Sequence, residues 1–301
     1  MQVLVTGGCG FIGSHVVDAL VKRGDSVTVL DNLSSGKRER LNAAATLVVG
    51  DVADAAIMGR LVPHSDAVIH LAAVASVARC QEDWAASHRT NLTGTVTVFD
   101  AARRNQTPVV YASSAAVYGD NASQPLLESV AANPLSAYGL DKLTGEKQAE
   151  IGWRFHAIPS VGLRLFNVYG PRQDPYSPYS GVISKFMAAA REGQPLTFFG
   201  DGEQTRDFIY VGDVVRLVLA ALEHREGALI LNGCTGKAVS LKQLAAAIGN
   251  YLEKPLTTRH EPARAGDIRH SLGSPEKARE LFGFVAQTAL AEGLKGLAGH
   301  A

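Results

Sequence analysis

Apolar residues in the N-terminal half of the chain follow two alternating patterns. Short aliphatic and β-branched runs predict six strands, at Gln2–Thr6, Ser26–Leu30, Thr46–Val49, Ala67–His70, Pro108–Ala112 and Ser160–Leu165. Longer stretches with apolar residues at helical spacing predict helices at His15–Arg23, Asp83–Asn105 and Tyr138–Phe155. Strands that alternate with helices in this way pair in parallel and are covered by helices on both faces. We therefore expect an α/β fold built on a doubly wound parallel sheet.

The composition changes from Asn167 onward, where Pro, Gly, Tyr and Ser become frequent. The run Asp174–Pro178 predicts an extended loop of the kind that covers a substrate. The later pattern predicts helices at Val211–His224 and Leu241–Leu252 and a strand at Ala228–Leu231. We expect residues 1–166 to carry the main sheet and residues 167–301 to form a smaller α/β part interleaved with it.

The charge balance limits the classes of partner. The 301 residues include 29 Lys and Arg and 29 Asp and Glu, which cancel. Without a basic field the chain has no general attraction for nucleic acid or for an anionic membrane, and we expect neither as a partner. An anionic substrate would therefore be bound by a few local cations.

The start of the chain and its cysteines indicate a cytoplasmic protein. Met1 leads directly into the apolar run Val3–Val5, which leaves no room for a charged leader, and no apolar stretch approaches the length of a bilayer. Cys9, Cys80 and Cys234 are odd in number and widely spaced. This spacing predicts reduced, structural cysteines, with neither a disulfide framework nor a metal site.

A glycine-rich turn follows the first predicted strand. Gly7, Gly10 and Gly13 recur every three residues at the opening of a helix. Glycines there allow a tight turn and the close approach of a pyrophosphate, to which the helix N-terminus offers amide donors. Asp31 ends the second strand about twenty residues on, where a carboxylate binds the 2′-hydroxyl of the adenosine ribose and repels a 2′-phosphate. The sequence therefore predicts a Rossmann-type sheet that binds NAD rather than NADP.

A candidate base and a candidate cation lie four residues apart in Tyr138-Gly139-Leu140-Asp141-Lys142, on one face of a helix. Ser113-Ser114 follow the fifth strand, at the edge where open parallel sheets bind ligands. A phenol with a pKa near 10 is a poor base at neutral pH, and a cation about 4 Å away supplies roughly the 4 kcal/mol that a three-unit decrease requires. We interpret Tyr138 as the base, Lys142 as the cation and the serine as the hydrogen-bond partner of the substrate oxygen.

Longer motifs extend these sites along the whole chain. They are the glycine turn, Asp31–Ser34, His70–Ala73, Asn91–Thr95, Ser113–Gly119, Tyr138–Lys142, Arg164–Pro171, Arg206–Val211 and Arg264–Ser271. In these motifs the chain resembles the extended short-chain dehydrogenase/reductase family, and within it the UDP-glucose/UDP-galactose 4-epimerase branch. The resemblance implies NAD-dependent 4-epimerisation of a UDP-hexose through a transient 4-keto sugar.

The resemblance also assigns residues to three groups. Ser114, Tyr138 and Lys142 would be catalytic. The residues that would contact NAD are Gly7, Gly10, Phe11, Ile12, Gly13, Asp31, Asn32, Ser35, Gly36, Asp51, Val52, Leu71, Ala72, Ala73, Asn91, Tyr138 and Lys142. The residues that would contact the UDP-sugar are Ser76, Ser114, Tyr138, Asn167, Arg206, Arg264, Asp267 and Ser271. Simpler alternatives stay open: Asp51 also fits a solvated loop, Ser76 a turn, and each arginine a surface ion pair.

Two positions separate the chain from neighbours in the family. Dehydratases carry an Asp-Glu pair directly after the serine, and uronate decarboxylases tend to carry a glutamate there, whereas Ala115-Ala116 follow Ser114. Some glucose-specific epimerases carry a lysine in the loop after His70–Ala73, where this chain has Val74-Ala75. Contact with the nicotinamide would then come mainly from Lys142.

Substrate breadth depends on Ser271, seven residues beyond Arg264. In similar epimerases a bulky tyrosine there accompanies restriction to glucose and galactose, and a small residue accompanies acceptance of N-acetylhexosamines. Serine therefore predicts activity on both pairs of UDP-sugars. The alternative is a surface serine without effect on specificity.

Other functions and the oligomeric state stay open. A 4-epimerase of a UDP-uronate or UDP-pentose and a nucleotide-sugar reductase would share all the catalytic residues, whereas an NAD-binding protein without catalysis would be expected to lose them. Family members usually pair through two helices per subunit. The resemblance thus implies a homodimer formed by Asp83–Asn105 and Tyr138–Phe155, with a monomer as the alternative.

Overall fold

The structure is a computed structural model that describes residues 1–174, 181–263 and 268–297. Two of the predicted substrate residues, Arg264 and Asp267, lie outside the described residues. The same holds for Pro175–Pro178 of the predicted loop. The folded chain divides into two units, which are described separately below.

Each unit is assembled from several segments of the chain. The first unit comprises residues 1–117, 134–164 and 215–231, and the second unit comprises residues 118–133, 165–214 and 232–301. The chain therefore passes between the units several times rather than completing one before beginning the other.

Strands alternate with helices along the first half of the chain. In chain order, the strands of the described residues are β1 Gln2–Thr6, β2 Ser26–Asp31, β3 Thr46–Val49, β4 Ala67–His70, β5 Val109–Ser114, β6 Ser160–Leu165, β7 Asn167–Tyr169, β8 Leu196–Phe199, β9 Thr205–Tyr210, β10 Ala228–Gly233, β11 Ala238–Ser240, β12 Thr258–Glu261 and β13 His270–Ser271. Seven of them form one sheet in the order β10-β6-β5-β4-β1-β2-β3. The pairs that join β3, β2, β1, β4 and β5 are parallel.

Helices connect these strands. In chain order, the helices of the described residues are α1 Phe11–Arg23, α2 Ala55–Leu61, α3 Val77–Glu82, α4 Trp84–His88, α5 Gly94–Ala102, α6 Ala137–His156, α7 Val182–Arg191, α8 Val211–Ala221, α9 Leu241–Leu252, α10 Glu276–Phe282 and α11 Leu290–Lys295. A π-helical turn at Arg89–Thr93 joins α4 to α5. None of these helices is both long and apolar enough to cross a membrane.

The core of the first unit is formed by the inner residues of the sheet and by the apolar faces of the helices. Leu4, Val68 and Val109 from three neighbouring strands are buried in one cluster with Val98 and Phe99 of α5. The strands read as continuous apolar runs because both faces of the sheet are covered. The strand order confirms the predicted α/β fold with a doubly wound sheet.

The strand order also locates a crevice. The chain leaves β1 to form β2 on one side, whereas β4 pairs with β1 on the other side. Connections that diverge at such a point leave a crevice at the carboxyl ends of the two strands, where open parallel sheets bind ligands. The glycine turn after β1 and Leu71–Ala73 after β4 lie at these ends.

Several predicted bounds of helices differ from the structure. The first helix begins at Phe11 rather than His15, because Gly10 is its N-cap and the glycine turn leads directly into it. The predicted helix Asp83–Asn105 begins instead with Asp83 as the N-cap of α4, passes through a π-helical turn and ends at Ala102. The predicted helix Val211–His224 ends at Ala221.

The second unit contains two smaller sheets. In one of them, β9 pairs with β11 in antiparallel and with β7 and β13 in parallel. In the other, β8 and β12 pair in parallel. Phe186, Phe198, Leu244 and Ile248 are buried in a separate core beside these sheets. The short strands of this unit place several of the predicted substrate residues on one sheet.

Candidate active site

The glycine turn between β1 and α1 is tightly packed. Gly7 has a φ of +71°, and a Cβ there would lie 2.7 Å from the backbone nitrogen of Ala72. A Cβ on Gly13 would overlap the carbonyl oxygen of Gly7. Gly10 offers no side chain to cap α1, so the first amides of this helix point out of the turn without a side-chain acceptor. This end of α1 is suited to bind an anion through the amides of Phe11 and Ile12.

Asp31 is fixed at the carboxyl end of β2 by backbone amides. Its Oδ2 accepts a hydrogen bond from the amide of Cys9 at 2.9 Å, and its Oδ1 accepts one from the amide of Leu33 at 2.8 Å. Gly36 lies against the carboxylate, since a Cβ on it would approach Oδ1 to 2.8 Å. Asn32 and Ser35 are exposed in the same loop. The carboxylate is thus held beside the glycine turn, as binding of a ribose hydroxyl requires.

Residues after β3 and β4 form the rest of the predicted cofactor site. Asp51 caps its own loop by accepting the amide of Ala53 at 2.8 Å, and Val52 is buried against Gly94. Asn91, in the π-helical turn, is buried and accepts the amide of Val74 at 2.8 Å through its Oδ1. Asn91 therefore holds the loop after β4 in place, and its contact with NAD stays a prediction.

The three predicted catalytic residues lie together in the first unit. Gly139 allows α6 to approach the turn after β5, because a Cβ there would lie 2.6 Å from the carbonyl oxygen of Ala116. Tyr138 and Ser114 are within hydrogen-bond reach of each other. Lys142 donates to the carbonyl oxygen of Ala112 at 2.8 Å, and its Nζ lies 5.8 Å from the centre of the Tyr138 ring. The structure thus brings the serine, the phenol and the ammonium group to one end of β5.

Burial controls the proton affinity of these groups. It raises the pKa of Tyr138, and the hydrogen bond with Ser114 acts in the opposite direction. Burial also lowers the pKa of Lys142 to about 8, although the carboxylate of Asp141 opposes this decrease. Because the chain's own groups leave the pKa of Tyr138 raised, formation of the phenolate needs additional positive charge beside it.

A buried ion pair anchors the catalytic helix. Glu146, one turn after Lys142, accepts hydrogen bonds from Arg164 of β6 at 2.9 Å and 2.7 Å. Ser113 donates to the same carboxylate at 2.5 Å. The side chains of Glu146 and Arg164 are 2% and 7% exposed. This network joins α6, which carries Tyr138 and Lys142, to β5 and β6.

The other predicted substrate residues occupy different positions. Ser76 caps α3 by accepting the amide of Arg79 at 3.2 Å, which gives it the turn role that the sequence left open. In the second unit, Asn167, Arg206 and Ser271 lie on three adjacent strands, and Ser271 pairs directly with Arg206. The guanidinium group of Arg206 donates to the carbonyl oxygen of Thr205 at 2.9 Å.

Asp207, the residue after Arg206, anchors β9 within the second unit. Its buried carboxylate accepts the amide and the hydroxyl of Thr235 at 2.8 Å and 2.6 Å, and the amide of Gly236 at 2.9 Å. Asp207 thereby fixes the turn after β10 to β9 and is structural in this motif.

Comparison with known proteins agrees with this geometry. The model of the NAD dependent epimerase/dehydratase family matches residues 3–232. The chain belongs to this family. The UDP-glucose 4-epimerase of Mycolicibacterium smegmatis is 38% identical, over 98% of this chain and 96% of its own length.

Solved structures of similar proteins have the same fold. The UDP-glucose 4-epimerase of Thermotoga maritima, solved with UDP-glucose, aligns with a TM-score of 0.94 at 37% identity, over 98% of this chain and 96% of that chain. The UDP-N-acetylglucosamine 4-epimerase of Methanobrevibacter ruminantium, solved with UDP-N-acetylmuramic acid, aligns with a TM-score of 0.94 at 36% identity, over the same shares of the two chains.

The cofactor of the NAD-dependent epimerase/dehydratase family fits the first unit. The N-terminus of α1 has no side-chain cap, and the tight packing of Gly7 and Gly13 keeps side chains out of the turn, so a pyrophosphate can approach the backbone amides. Asp31 lies where a ribose hydroxyl donates and a 2′-phosphate would be repelled. Phe11, Ile12, Asp31 and Lys142 are the residues that would hold NAD.

Two features of this site were not predicted from the sequence. The Glu146–Arg164 pair had one signal, a charged residue inside the apolar run of β6. The other feature is a hydrogen bond of 2.8 Å between His88 Nδ1 and Asp141 Oδ1. Because it joins residues 53 positions apart, no local pattern could have revealed it.

Proposed function

We propose that the protein is an NAD-dependent 4-epimerase of UDP-hexoses. The observation that carries this proposal is the assembly of Ser114, Tyr138 and Lys142 at the end of β5, followed by Ala115 and Ala116. This set contains one base and no second acid-base pair for the elimination of water or the loss of a carboxylate. Removal and return of one proton is the chemistry that a single phenol supports.

The proposed chemistry assigns a step to each side chain. Tyr138 takes the proton of the C4 hydroxyl and later returns it, while Ser114 hydrogen-bonds the same oxygen. Lys142 contributes positive charge beside the phenol, as its distance of 5.8 Å from the ring centre permits. NAD, held by Phe11, Ile12 and Asp31, would supply the hydride chemistry at C4, and its positive charge would favour loss of the proton of Tyr138.

We assign the UDP moiety to Asn167 and Arg206 of the second unit, together with Arg264 and Asp267. An arginine suits this role because a diphosphate is bound best by charge-assisted, forked donors. Ser271 pairs with Arg206 and carries a small side chain, which supports acceptance of both plain and N-acetylated hexoses. The relative from M. ruminantium, named for an N-acetylated substrate, supports the same breadth.

The experiment that tests this function assays the purified protein on a panel of UDP-sugars without added NAD. The panel holds the glucose/galactose pair, the N-acetylated pair, a UDP-uronate and a UDP-pentose, with products identified by NMR. We expect interconversion of the first two pairs with cofactor that stays bound through purification, because the reaction consumes no net redox equivalent. Products reduced at C4, or turnover only of the uronate or pentose, would contradict the proposal.

The variant Ser271→Tyr gives the control for substrate breadth. A phenol ring fills the space that an acetamido group needs, so the N-acetylated pair should be lost while the plain pair is largely kept. Equal losses on both pairs would remove Ser271 from this role.

We also propose a homodimer formed through α5 and α6. Leu140, Ile151 and Phe155 are 51%, 47% and 69% exposed, and their spacing places them on one side of α6. Val96 of α5 and Trp84 of α4 are exposed as well. Contiguous exposed apolar side chains favour an interface between subunits.

A cytoplasmic location remains a prediction from the sequence.

The dimer predicts a specific effect of charge on this surface. Ile151→Glu should yield a monomer in sedimentation at concentrations where the wild type is a dimer. The matched control is Leu281→Glu in α10 of the second unit. Leu281 is 51% exposed, close to the 47% of Ile151, and should tolerate the charge. A monomeric wild type, or a dimer that survives Ile151→Glu, would contradict the assigned interface.

A further inference from the structure

The sequence between the two catalytic residues of α6 contains a carboxylate that the proposed chemistry does not use. Asp141 lies one turn after Tyr138 and directly before Lys142. It is 3% exposed. Its Oδ2 has no hydrogen-bond partner among the described residues. A buried carboxylate with an unsatisfied oxygen is costly, so its presence beside the catalytic lysine needs a physical reason.

Asp141 has one hydrogen-bond partner in this part of the structure, His88 of α4. The Nδ1 atom of His88 lies 2.8 Å from Oδ1 of Asp141. A carboxylate can only accept, so Nδ1 carries the proton in this hydrogen bond. The side chain of His88 is 48% exposed and that of Asp141 is 4% exposed. The imidazole therefore reaches inward from the surface and fixes the buried carboxylate from the side of α4.

The carboxylate of Asp141 acts electrostatically on Lys142. Burial takes the ammonium group out of water and lowers the pKa of Lys142 to about 8, and the charge of Asp141 opposes this. The remaining contact of the lysine is with the carbonyl oxygen of Ala112, a neutral acceptor. With a pKa of about 8 the lysine is still mostly charged at neutral pH, and Asp141 is the largest contribution that opposes the loss of this charge.

The titratable groups on the neighbouring elements are neutral or paired, and among them Cys80 opposes the decrease in the pKa of Lys142 to a smaller extent than Asp141. On β4, burial and the charge of Lys142 lower the pKa of His70 to about 3, so His70 is neutral. On α3, the thiol of Cys80 donates to the carbonyl oxygen of Val74. In the π-helical turn, Arg89 faces Asp51 at 3.9 Å. On α6 itself, Glu146 is engaged by Arg164.

We propose that His88 and Asp141 form a positioning pair of the active site, in which the buried carboxylate keeps the ammonium group of Lys142 charged and His88 holds that carboxylate in place. The proposal rests on the proposed function for its effect on turnover, but the charge of Lys142 is a property of the chain alone. The pair acts through Lys142 and contacts neither the sugar nor NAD.

The test measures the titration of Lys142 directly in the purified protein. Protein labelled with ¹³C at the lysine Cε is titrated by NMR, and the Lys142 signal is assigned from Lys142→Arg. Asp141→Asn, which keeps the shape of the side chain, should lower the titration midpoint of Lys142 by about one unit or more, the scale of a lost neighbouring charge. The matched control is Asp100→Asn, which removes a carboxylate that is 62% exposed and paired with Arg103 at 2.8 Å, and should leave the midpoint unchanged.

The histidine is tested by two further substitutions. His88→Leu removes the donor that holds the carboxylate of Asp141, so the carboxylate can turn away from Lys142 and the midpoint should fall as in Asp141→Asn. His88→Gln keeps an amide donor and should retain a midpoint near that of the wild type. An unchanged midpoint in Asp141→Asn, or an equal decrease in Asp100→Asn, would overturn the proposal. An unchanged midpoint in His88→Leu would overturn the part assigned to His88.

Turnover supplies a second readout. If Lys142 loses its charge, the phenolate of Tyr138 forms only at higher pH. The rise of kcat with pH in Asp141→Asn should therefore shift to higher pH, with little change in KM for the UDP-sugar. An unshifted rise would contradict the pair's effect on catalysis. A wild type without epimerase activity would instead refute the proposed function, and the NMR titration would still decide whether Asp141 keeps Lys142 charged.

Discussion

Replacement of Tyr138 by phenylalanine should lower turnover of UDP-glucose and UDP-galactose by roughly 10²–10⁴, the range that a positioned acid-base group contributes. The ring and its packing remain, but the oxygen within reach of Ser114 is lost, and the C4 hydroxyl then has no base to receive its proton. Binding of UDP, measured by calorimetry, should change little because the proposed role of the phenol is at the sugar and not at the nucleotide. The effect should therefore appear in kcat rather than in KM.

Tyr111 provides the matched control for this substitution. It lies on β5 in the same unit, is buried, and has a hydroxyl without a hydrogen-bond partner among the described residues. Tyr111→Phe removes an equivalent oxygen from a neighbouring site and should leave turnover within about twofold, since an unpaired buried hydroxyl contributes nothing to lose. If Tyr138→Phe retains more than a tenth of the activity, another group is the base.

Loss of the buried carboxylate on the catalytic helix should have the largest effect on stability. Glu146→Ala leaves Arg164 charged, 7% exposed and without its bidentate acceptor. Removing one partner of a buried ion pair typically costs 3–5 kcal/mol, and we expect about that decrease in the free energy of unfolding. Urea denaturation followed by circular dichroism, at equal protein concentrations, measures it.

Two comparisons separate this effect from a general weakness of α6. Glu150→Ala, one turn later, removes a carboxylate that is 52% exposed and paired with Lys147, and should cost less than about 1 kcal/mol. The double variant Glu146→Leu/Arg164→Met replaces both charges by apolar groups and should recover most of the lost stability. Equal effects of Glu146→Ala and Glu150→Ala would show that the network of Glu146 and Arg164 does not carry the stability assigned to it.

The elements that the sequence predicts best are those whose pattern is set by the core. The strands Gln2–Thr6, Thr46–Val49, Ala67–His70 and Ser160–Leu165 and the helix Leu241–Leu252 have their predicted bounds. Four of them are buried along one or both faces, and Thr46–Val49, at the edge of the sheet, is partly buried. The start of α1 was predicted four residues late, because the glycine turn leads directly into the helix and its residues do not show the apolar pattern of a helix. The strands of the second unit were not predicted. Apart from β9 with its six residues, they are runs of two to four residues, which carry too little pattern.

The candidate site likewise contains features that the sequence predicts and features that it does not. The proximity of Ser114, Tyr138 and Lys142 could be predicted because a fixed chemistry requires these residue types at fixed spacing on a recognisable sheet. The residues that pair near these three side chains could not be predicted from the sequence. The pairing of Glu146 with Arg164, or of His88 with Asp141, depends on which helix packs against which strand, and this is decided only when the chain is folded. Ser76 caps α3, a role that the sequence had left open, and its contact with the substrate stays a prediction.

The interleaving of the two units sets an order on synthesis. The edge strand of the seven-stranded sheet, β10, is encoded at Ala228–Gly233, after two of the three segments of the second unit. While the ribosome is still translating the intervening residues, β6 stands at the edge with its backbone donors and acceptors unpaired. Such an edge pairs readily with other nascent chains. A premature stop anywhere between β6 and β10 would therefore release a chain that has all its catalytic residues but an open sheet, and aggregation rather than loss of chemistry would be the first consequence.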